Sequence, residues 1–218
     1  MLGVVSAFAA FVSVAPSAEA AITCTSSHCY SILRGTGTTF YGMYGTWNRA
    51  AMNAPGANSS NQYWLNSEMW ASNNYTAWVE TGLTQGYLAP AGGVGYYQFA
   101  AYKSTSGTYT EYSFGSVTQN ATVTDEFQIS RNATTNKWNV YVNGALWTTP
   151  AIGFWTVDVL DVGGEVYASN ATAGTFNMFV KGINSAGNRV NLGTQTPSVN
   201  SGMNGSSPSN SAWTWSIK

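Results

Sequence analysis

Short runs of aromatic and β-branched residues, separated by clusters of turn-forming residues, constrain this chain more than any other feature. Helical periodicity is almost absent, so the pattern predicts an all-β domain. Strands are predicted in TTFYGMYGTW, QYWLNSEMW, YTAWVETGL, GYYQFAAYK, TYTEYSFG, VTDEFQISR, KWNVYVN, GFWTVDVL, GGEVYAS, TFNMFVK and AWTWSIK. This many short strands predicts a two-sheet antiparallel β-sandwich of the jelly-roll or concanavalin-like type.

Two segments of the chain are predicted to be turns or loops. Asn143-Gly144 lies between KWNVY and ALW, and this dipeptide favours a two-residue type I′ hairpin turn. The tract 184–211 is poor in large apolar residues and rich in Ser, Asn and Gly. We expect it to form a long surface loop.

The first twenty residues have the pattern of an export signal. An apolar run leads to Ala18-Glu19-Ala20, a small-x-small cleavage pattern, so residues 1–20 are predicted to be a secretory signal peptide. Residues 21–218 are then expected to form a single domain. No later segment is apolar enough to cross a bilayer, so we expect a secreted, extracellular monomer that has no membrane partner.

Composition argues against one class of partner. Charged residues make up 8% of the chain and aromatic residues 14%, and the eight Lys and Arg residues do not cluster. A nucleic-acid-binding surface needs a basic patch, so no nucleic-acid partner is expected.

The two cysteines, Cys24 and Cys29, lie in the short motif CTSSHC. In an oxidising compartment this spacing favours a disulfide. The alternative is a metal site that uses His28, but His28 is the only histidine and no other soft ligand lies nearby. We therefore expect no metal, no cofactor and no requirement for His28 in activity.

Any catalysis without a cofactor must use carboxylates, because a Ser-His-Asp or Cys-His arrangement needs a free histidine. Five acidic residues are expected to be exposed or in turns, namely Glu111, Asp125, Glu126, Asp158 and Asp161. Glu80 and Glu165 differ, because each lies in an apolar strand near glycines that would let a ligand approach. Buried carboxyls often mark function. The alternative is that each lies on the wet face of its strand.

Several of these stretches resemble the C-terminal catalytic domain of neprosin, a family of secreted glutamic peptidases. Glu80–Leu83 (ETGL) resembles the family's E-A-G-W strand, and Ser106–Thr110 resembles its T-G-C-Y-N region. IGFWT at Ile152–Thr156, followed by GGEV at Gly163–Val166, resembles its IGYWP…GGEV run. The resemblance extends over about Tyr75–Lys181.

The resemblance implies a secreted acid endopeptidase in which Glu80 and Glu165 form a catalytic dyad acting on polypeptides. Strand alternation places Trp78 on the face of Glu80 and Tyr167 on the face of Glu165, so both are candidate substrate-binding residues. Gln85, just past Glu80, is a candidate for holding the oxyanion. The chain departs from the family pattern where Thr108 replaces a cysteine and Thr156 replaces a proline. Glu68 and Glu111 are predicted to be dispensable.

Other functions fit the same composition. A jelly-roll glycoside hydrolase would also use two carboxylates, and its substrate would be a polysaccharide. A non-catalytic carbohydrate-binding module could use tryptophans as stacking platforms, although buried tryptophan is the more frequent case. A structural cell-surface protein is the third alternative. In the carbohydrate-binding module, the candidate stacking platforms would be Trp47, Trp64, Trp70 and Trp78.

Overall fold

Two large antiparallel sheets form the body of the protein. The computed structural model describes residues 22–24 and 28–217. Within these ranges the chain forms seventeen strands, one short 3₁₀ helix at Ala89–Ala91 and no α-helix. The predicted all-β, two-sheet sandwich is therefore confirmed.

The first sheet has seven strands in the order β15-β1-β11-β4-β5-β6-β7. Every neighbouring pair is antiparallel. Its strands are β1 (Cys29–Thr36), β4 (Trp64–Asn73), β5 (Ala77–Leu88), β6 (Gly93–Lys103), β7 (Tyr109–Ser116), β11 (Val159–Tyr167) and β15 (Thr194–Val199).

The second sheet follows the order β10-β9-β8-β2-β13-β17-β16, and β14 pairs with β13 at its side. Its strands are β2 (Gly42–Arg49), β8 (Asn120–Asn132), β9 (Lys137–Val142), β10 (Ala145–Thr148), β13 (Phe176–Ile183), β14 (Arg189–Val190), β16 (Met203–Ser206) and β17 (Ala212–Ile217). A separate two-stranded ribbon joins β3 (Met52–Asn53) to β12 (Thr172–Ala173).

The core lies between the sheets and is built around large aromatic side chains. Trp47 stacks on Phe127 with ring centroids 4.3 Å apart, and Phe176 stacks on Trp215 at 4.8 Å. All four rings are almost completely buried. Stacked rings of this size contribute much of the apolar area that a sandwich removes from water.

Strand alternation gives the first sheet two different faces. On β4, Leu65 and Met69 belong to the core and are fully buried. Successive side chains point to opposite faces of a strand, so Asn66, Glu68 and Trp70 project away from the core. Asn66 and the acidic residue of β4, Glu68, therefore share the outer face of the sheet.

The predicted hairpin turn is confirmed. Asn143 and Gly144 connect β9 to β10, with φ of 50° and 78°. Positive φ at both central residues is what a type I′ turn requires, and Asn-Gly tolerates it.

The predicted loop over 184–211 is wrong in part, because β14, β15 and β16 all lie within it. β15 pairs with β1 at the edge of the first sheet, and β16 pairs with β17 at the edge of the second. Edge strands gain their hydrogen bonds from one neighbour and need little apolar content, so composition alone hides them.

The predicted strand GFWTVDVL is mostly a loop, since only its last two residues belong to β11. The loop is fixed by packing instead. Phe154 is buried against Trp138, with ring centroids 5.1 Å apart, and its carbonyl accepts a hydrogen bond from Trp138 Nε1 at 3.0 Å. Phe154 is therefore fixed by core packing and not by pairing with a neighbouring strand.

The Cys24–Cys29 disulfide is confirmed, with the two Cα atoms 5.9 Å apart. It joins the start of β1 to the preceding segment, whose Cys24 amide donates to the Ala168 carbonyl at 2.8 Å. The predicted signal peptide lies outside the described residues. Within residues 22–24 and 28–217, no helix has the length and apolar character that a membrane span needs.

Candidate functional site

A cleft of about 480 Å³ opens on the outer face of the first sheet. Its floor and walls come from the outward-facing residues of β1, β4, β5, β6, β7 and β11. The cleft is both aromatic and acidic, and its lining includes Glu80, Glu165 and three tryptophans. A concave site with convergent polar groups in an apolar lining is the usual form of a ligand-binding site.

Three glutamates lie in a diagonal line across the strands that form this cleft, and two of them, Glu80 and Glu165, line it. Glu165 of β11 is opposite Asn66 of β4, and Glu80 of β5 is opposite Trp70 of β4. Glu68 lies between them on β4, two residues along the strand from each of those partners. The exposed fractions of Glu68, Glu80 and Glu165 are 0%, 7% and 8%.

Two glycines flank Glu68 and bring the neighbouring backbones close to it. Glu68 is opposite Gly163 on β11 and Gly82 on β5. A Cβ on Gly82 would lie 2.7 Å from the Cα of Glu68. Gly163 has a φ of 151°, which favours glycine, and a Cβ there would collide with the Ser31 carbonyl. The residues directly opposite Glu68 on β5 and β11 therefore have no side chain that could cover its carboxyl.

The environment of the cleft favours the protonated form of two of these carboxyls. Burial raises the pKa of Glu68 well above 4.5, and the charges of Glu80 and Glu165 and a hydrogen bond to Glu165 raise it further, while Asn66 partly opposes this. Burial also raises the pKa of Glu80 well above 4.5, followed by the charges of Glu165 and Glu111. Neighbouring carboxyls in a dry cleft cannot all ionise cheaply.

Aromatic side chains enclose Glu80. Trp70 and Trp78 partly lower its pKa, yet the indole N–H of Trp78 is buried with no hydrogen-bond partner among the described residues. Asn66 also has a buried oxygen, Oδ1, without a partner in the described part of the chain. Buried polar atoms of this kind are costly unless a ligand satisfies them.

At one end of the cleft, Glu165 contacts His28. His28 Nδ1 lies 2.5 Å from Glu165 Oε1. The hydrogen bond to Glu165 raises the pKa of His28 above 6.5, against an opposing effect of burial. The imidazole also packs edge-on against Trp64, with centroids 5.0 Å apart, and lies 5.3 Å from the ring of Tyr167.

At the other end, Arg34 and Asp161 form a bidentate ion pair. Arg34 Nε and Nη2 each donate to an Asp161 oxygen at 2.8 Å. Arg34 also lies over the ring of Tyr75, 4.9 Å from its centroid. Asp161, expected in a turn, is instead buried on the cleft face of β11. The expectation failed because the irregular segment ends before β11, so that Asp161 is already the third residue of the strand.

The structure brings most of the sequence-predicted site residues together. Glu80, Glu165 and Trp78 line the cleft, and Tyr167 lies beside it in the aromatic cluster around His28. Gln85 does not lie there. It is five residues from Glu80 on one strand, so alternation turns it to the opposite face, where its Oε1 accepts a hydrogen bond from Gln119 Nε2 at 3.1 Å. The proposed oxyanion role of Gln85 is therefore wrong.

Three further acidic residues lie in places that their sequence context did not indicate. Glu68 is fully buried between Glu80 and Glu165, and Glu111 lines the cleft. The dispensability of these two glutamates stays a prediction. Asp125, predicted to face solvent, is 1% exposed. Its carboxylate accepts two hydrogen bonds from Arg49 and one each from Gln98 and Asn143.

The four tryptophans that were candidate stacking platforms separate into two groups. Trp64, Trp70 and Trp78 line the cleft, whereas Trp47 is a core residue. For metals, the described ranges contain no group of three or more His, Cys, Asp or Glu side chains that could hold an ion.

Comparison with known proteins identifies a fold but not a family. No family model matches the sequence, and no curated protein matches it. Among solved structures, the chain is similar to Scytalido-glutamic peptidase with a peptide-based transition-state analogue, at 11% identity and a TM-score of 0.54. The match covers 88% of this chain and 98% of that one. The two proteins share a fold.

Two further similar structures have lower TM-scores. SCP-B, a member of the Eqolisin family of peptidases in complex with the tripeptide Ala-Ile-His, matches at 12% identity and TM-score 0.49, over 88% of this chain and 98% of that chain. The β-glucanase of Bacillus licheniformis matches at 15% identity and TM-score 0.41, over 84% and 67% of the two chains.

Proposed function

We propose that this protein is a secreted acid endopeptidase of the glutamic type, in which Glu80 and Glu165 activate water for peptide-bond hydrolysis. The observation that carries the proposal is that two largely buried carboxyls, Glu80 and Glu165, line one open cleft. The fold shared with a glutamic peptidase and the resemblance of ETGL and GGEV to neprosin support it.

The chemistry needs one carboxyl ionised and one protonated. The ionised group takes a proton from water, whose oxygen attacks the peptide carbonyl carbon. The protonated group donates its proton to the carbonyl oxygen. When the C–N bond breaks, the departing amine takes up a proton from the carboxyl that received one from water. A hydroxyl of the former carbonyl carbon returns its proton to the carboxyl that donated one, which leaves the product acid and restores both groups. Glu80 and Glu165 lie on the two strands that flank β4, and both line the cleft in which the substrate would bind.

A peptide would satisfy the unpaired polar atoms of the cleft. The Trp78 indole N–H is a donor suited to a peptide carbonyl, and Asn66 Oδ1 is an acceptor suited to a peptide N–H. These two residues lie on adjacent strands on either side of Glu68 in the register. An extended segment lying across the floor could therefore be held at two points near the reacting bond.

A glycoside hydrolase remains the second candidate, because three tryptophans line the same cleft as the carboxyls. Tryptophan rings stack on sugars, and two separated carboxyls with a water between them would suit an inverting mechanism. The two candidates differ in substrate and not in location, so activity must decide between them.

The test is an activity panel on protein and polysaccharide substrates, using mature protein between pH 2 and 7. We expect cleavage of protein substrates with a bell-shaped pH profile on the acid side. Glu80→Gln and Glu165→Gln should each reduce the rate by a factor of about 100 to 10,000. The double variant should be little worse than either single one, since the pair works as a unit.

The matched control is Glu126→Gln. Glu126 belongs to the second sheet and does not line the cleft, and it accepts a hydrogen bond from the Tyr44 hydroxyl at 2.8 Å. This variant should retain full activity. A folded Glu165→Gln protein that cleaves protein at the wild-type rate, or hydrolysis of polysaccharide alone, would refute the peptidase proposal.

A further inference from the structure

His28 lies in the cleft and contacts one of the two proposed catalytic glutamates, Glu165. Cys24 and Cys29 are joined covalently, and both are tied to the region of β11, since Cys29 is opposite Val166 and the Cys24 amide donates to Ala168. His28 immediately precedes Cys29. The disulfide loop therefore holds the imidazole at the end of the strand that carries Glu165.

The three buried glutamates are not equivalent in their neighbours. Glu165 has the His28 ring nitrogen at 2.5 Å. Arg34, the other cation that lines the cleft, is already held by both oxygens of Asp161. Among the described residues, neither Glu68 nor Glu80 forms an ion pair. Only Glu165 therefore has a positive partner that offsets the cost of burying its negative charge.

We propose, on the basis of the proposed peptidase function, that His28 is a positioning residue that assigns the two roles of the dyad. Its imidazolium donates a hydrogen bond to Glu165 and keeps Glu165 as the ionised group that takes the proton from water. Glu80, which has no cation of its own, is then the group that donates a proton. His28 touches neither the water nor the substrate in this scheme.

The groups that surround the pair are consistent with this assignment. The Tyr30 hydroxyl lies 3.3 Å from His28 Nδ1 and can share that nitrogen. Burial is the largest cause that raises the pKa of Tyr30, so it stays neutral. Glu68 has a neutral partner instead of a cation, since Asn66 Nδ2 donates to both of its oxygens at 3.2 Å. Tyr167 also packs against the His28 ring, and Lys103 lies over the Trp78 ring. The other charged or titratable groups that line the cleft are Arg34, Tyr75, Glu80, Tyr87, Tyr109, Glu111 and Asp161.

The histidine itself provides the first test. Because it is the only histidine in the chain, its ring proton resonances can be followed by NMR without assignment work. In the wild-type protein the pKa of His28 should lie above 6.5. In Glu165→Gln it should fall towards 6.5 or below, and in Glu126→Gln it should not move. An unchanged His28 titration in folded Glu165→Gln would overturn the proposal.

The second test is the pH–rate profile of two His28 variants. His28→Gln keeps a hydrogen-bond donor but removes the charge, so the acid limb should move to higher pH and the bell should narrow. His28→Lys restores a cation and should move the acid limb back towards the wild type. A merely structural role would lower the rate at every pH and leave both limbs in place, which would also overturn the proposal.

The two tests separate failure of this inference from failure of the proposed function. The NMR titration does not depend on activity, so it reports on the His28–Glu165 pair even if protein substrates are not cleaved. Absence of cleavage by the wild-type protein would refute the peptidase, and with it the assignment of roles. Cleavage with unmoved limbs in His28→Gln would refute the assignment alone.

Discussion

The ring of Trp215 lies against the backbone of Gly164, so closely that a methyl group on that glycine would be 2.5 Å from the ring. Gly163, the preceding residue, faces the cleft opposite Glu68. The two adjacent glycines therefore serve opposite faces of one strand. Gly164 leaves room for the core ring of Trp215, and Gly163 leaves space beside the buried carboxyl of Glu68. Core packing and the position of this carboxyl therefore depend on the same two-residue segment of β11.

Gly164→Ala should destabilise the protein by about 1 to 3 kcal/mol, because the added methyl overpacks a rigid aromatic ring. Trp215 cannot move aside easily, since it is fully buried and stacked on Phe176. The midpoint of urea unfolding measures the effect. Gly174→Ala is the matched control, because a Cβ there meets its nearest neighbour at 3.6 Å. Equal midpoints for the two variants would contradict this account.

Strand patterns predicted the sandwich and the two glycine-flanked glutamates, because period-two alternation and glycine placement are local features. Glu68 was missed although a signal existed. In YWLNSEMW, Leu65 and Met69 alternate with Asn66, Glu68 and Trp70, so parity alone places Glu68 on the polar face. The same parity would have removed Gln85 from the site.

Other features could not be predicted from local sequence. His28 and Glu165 are separated by 137 residues, and only the pairing of β1 with β11 brings them together. The edge strand β15 likewise depends on its partner, because Thr194–Val199 has little apolar content of its own. Long-range pairing decides such features, and one sequence does not reveal it.

Stability should fall as the pH rises from about 4 to neutrality. The pKa values of Glu68 and Glu80 in the folded protein lie well above 4.5, so the folded state binds protons more tightly than the unfolded chain. This stabilisation is fully present below pH 4.5 and is lost as the pH rises through the folded-state pKa values. The raised pKa of His28 acts in the same direction, from pH 6.5 upwards. Thermal unfolding across this range measures the trend.

Glu68→Gln isolates one contribution to that trend. The amide cannot ionise, so the variant should lose less stability between pH 4 and pH 7 than the wild type, by about 1.4 kcal/mol for each unit by which folding raises the pKa. At neutral pH it should be the more stable protein. Glu126→Gln should follow the wild-type curve. A Glu68→Gln curve as steep as that of the wild type would show that another group causes the slope.

Asp125→Asn should destabilise the protein strongly, on the order of 3 to 5 kcal/mol, because it removes the charge partner of a largely buried arginine. Asp125 Oδ2 lies 2.6 Å from Arg49 Nε, and its Oδ1 lies 2.7 Å from Arg49 Nη2. Chemical unfolding measures the loss. The adjacent substitution Glu126→Gln, on the other face of the same strand, should cost less than about 0.5 kcal/mol. Similar losses for the two variants would contradict a structural role for the Asp125 network.

Reduction of the Cys24–Cys29 disulfide should loosen the contact between His28 and Glu165. The disulfide closes a loop with a sequence separation of 5, and His28 lies inside that loop next to Cys29. Once the bond is cut, the segment before β1 gains conformational freedom, so the imidazole spends less time beside the carboxylate. The pKa of His28, followed by NMR before and after reduction, should therefore move back towards 6.5. The Cys24→Ser, Cys29→Ser double variant should show the same value in the absence of reductant. If the His28 titration is identical in the oxidised, reduced and double-serine proteins, β1 alone positions the histidine and the disulfide has no part in it.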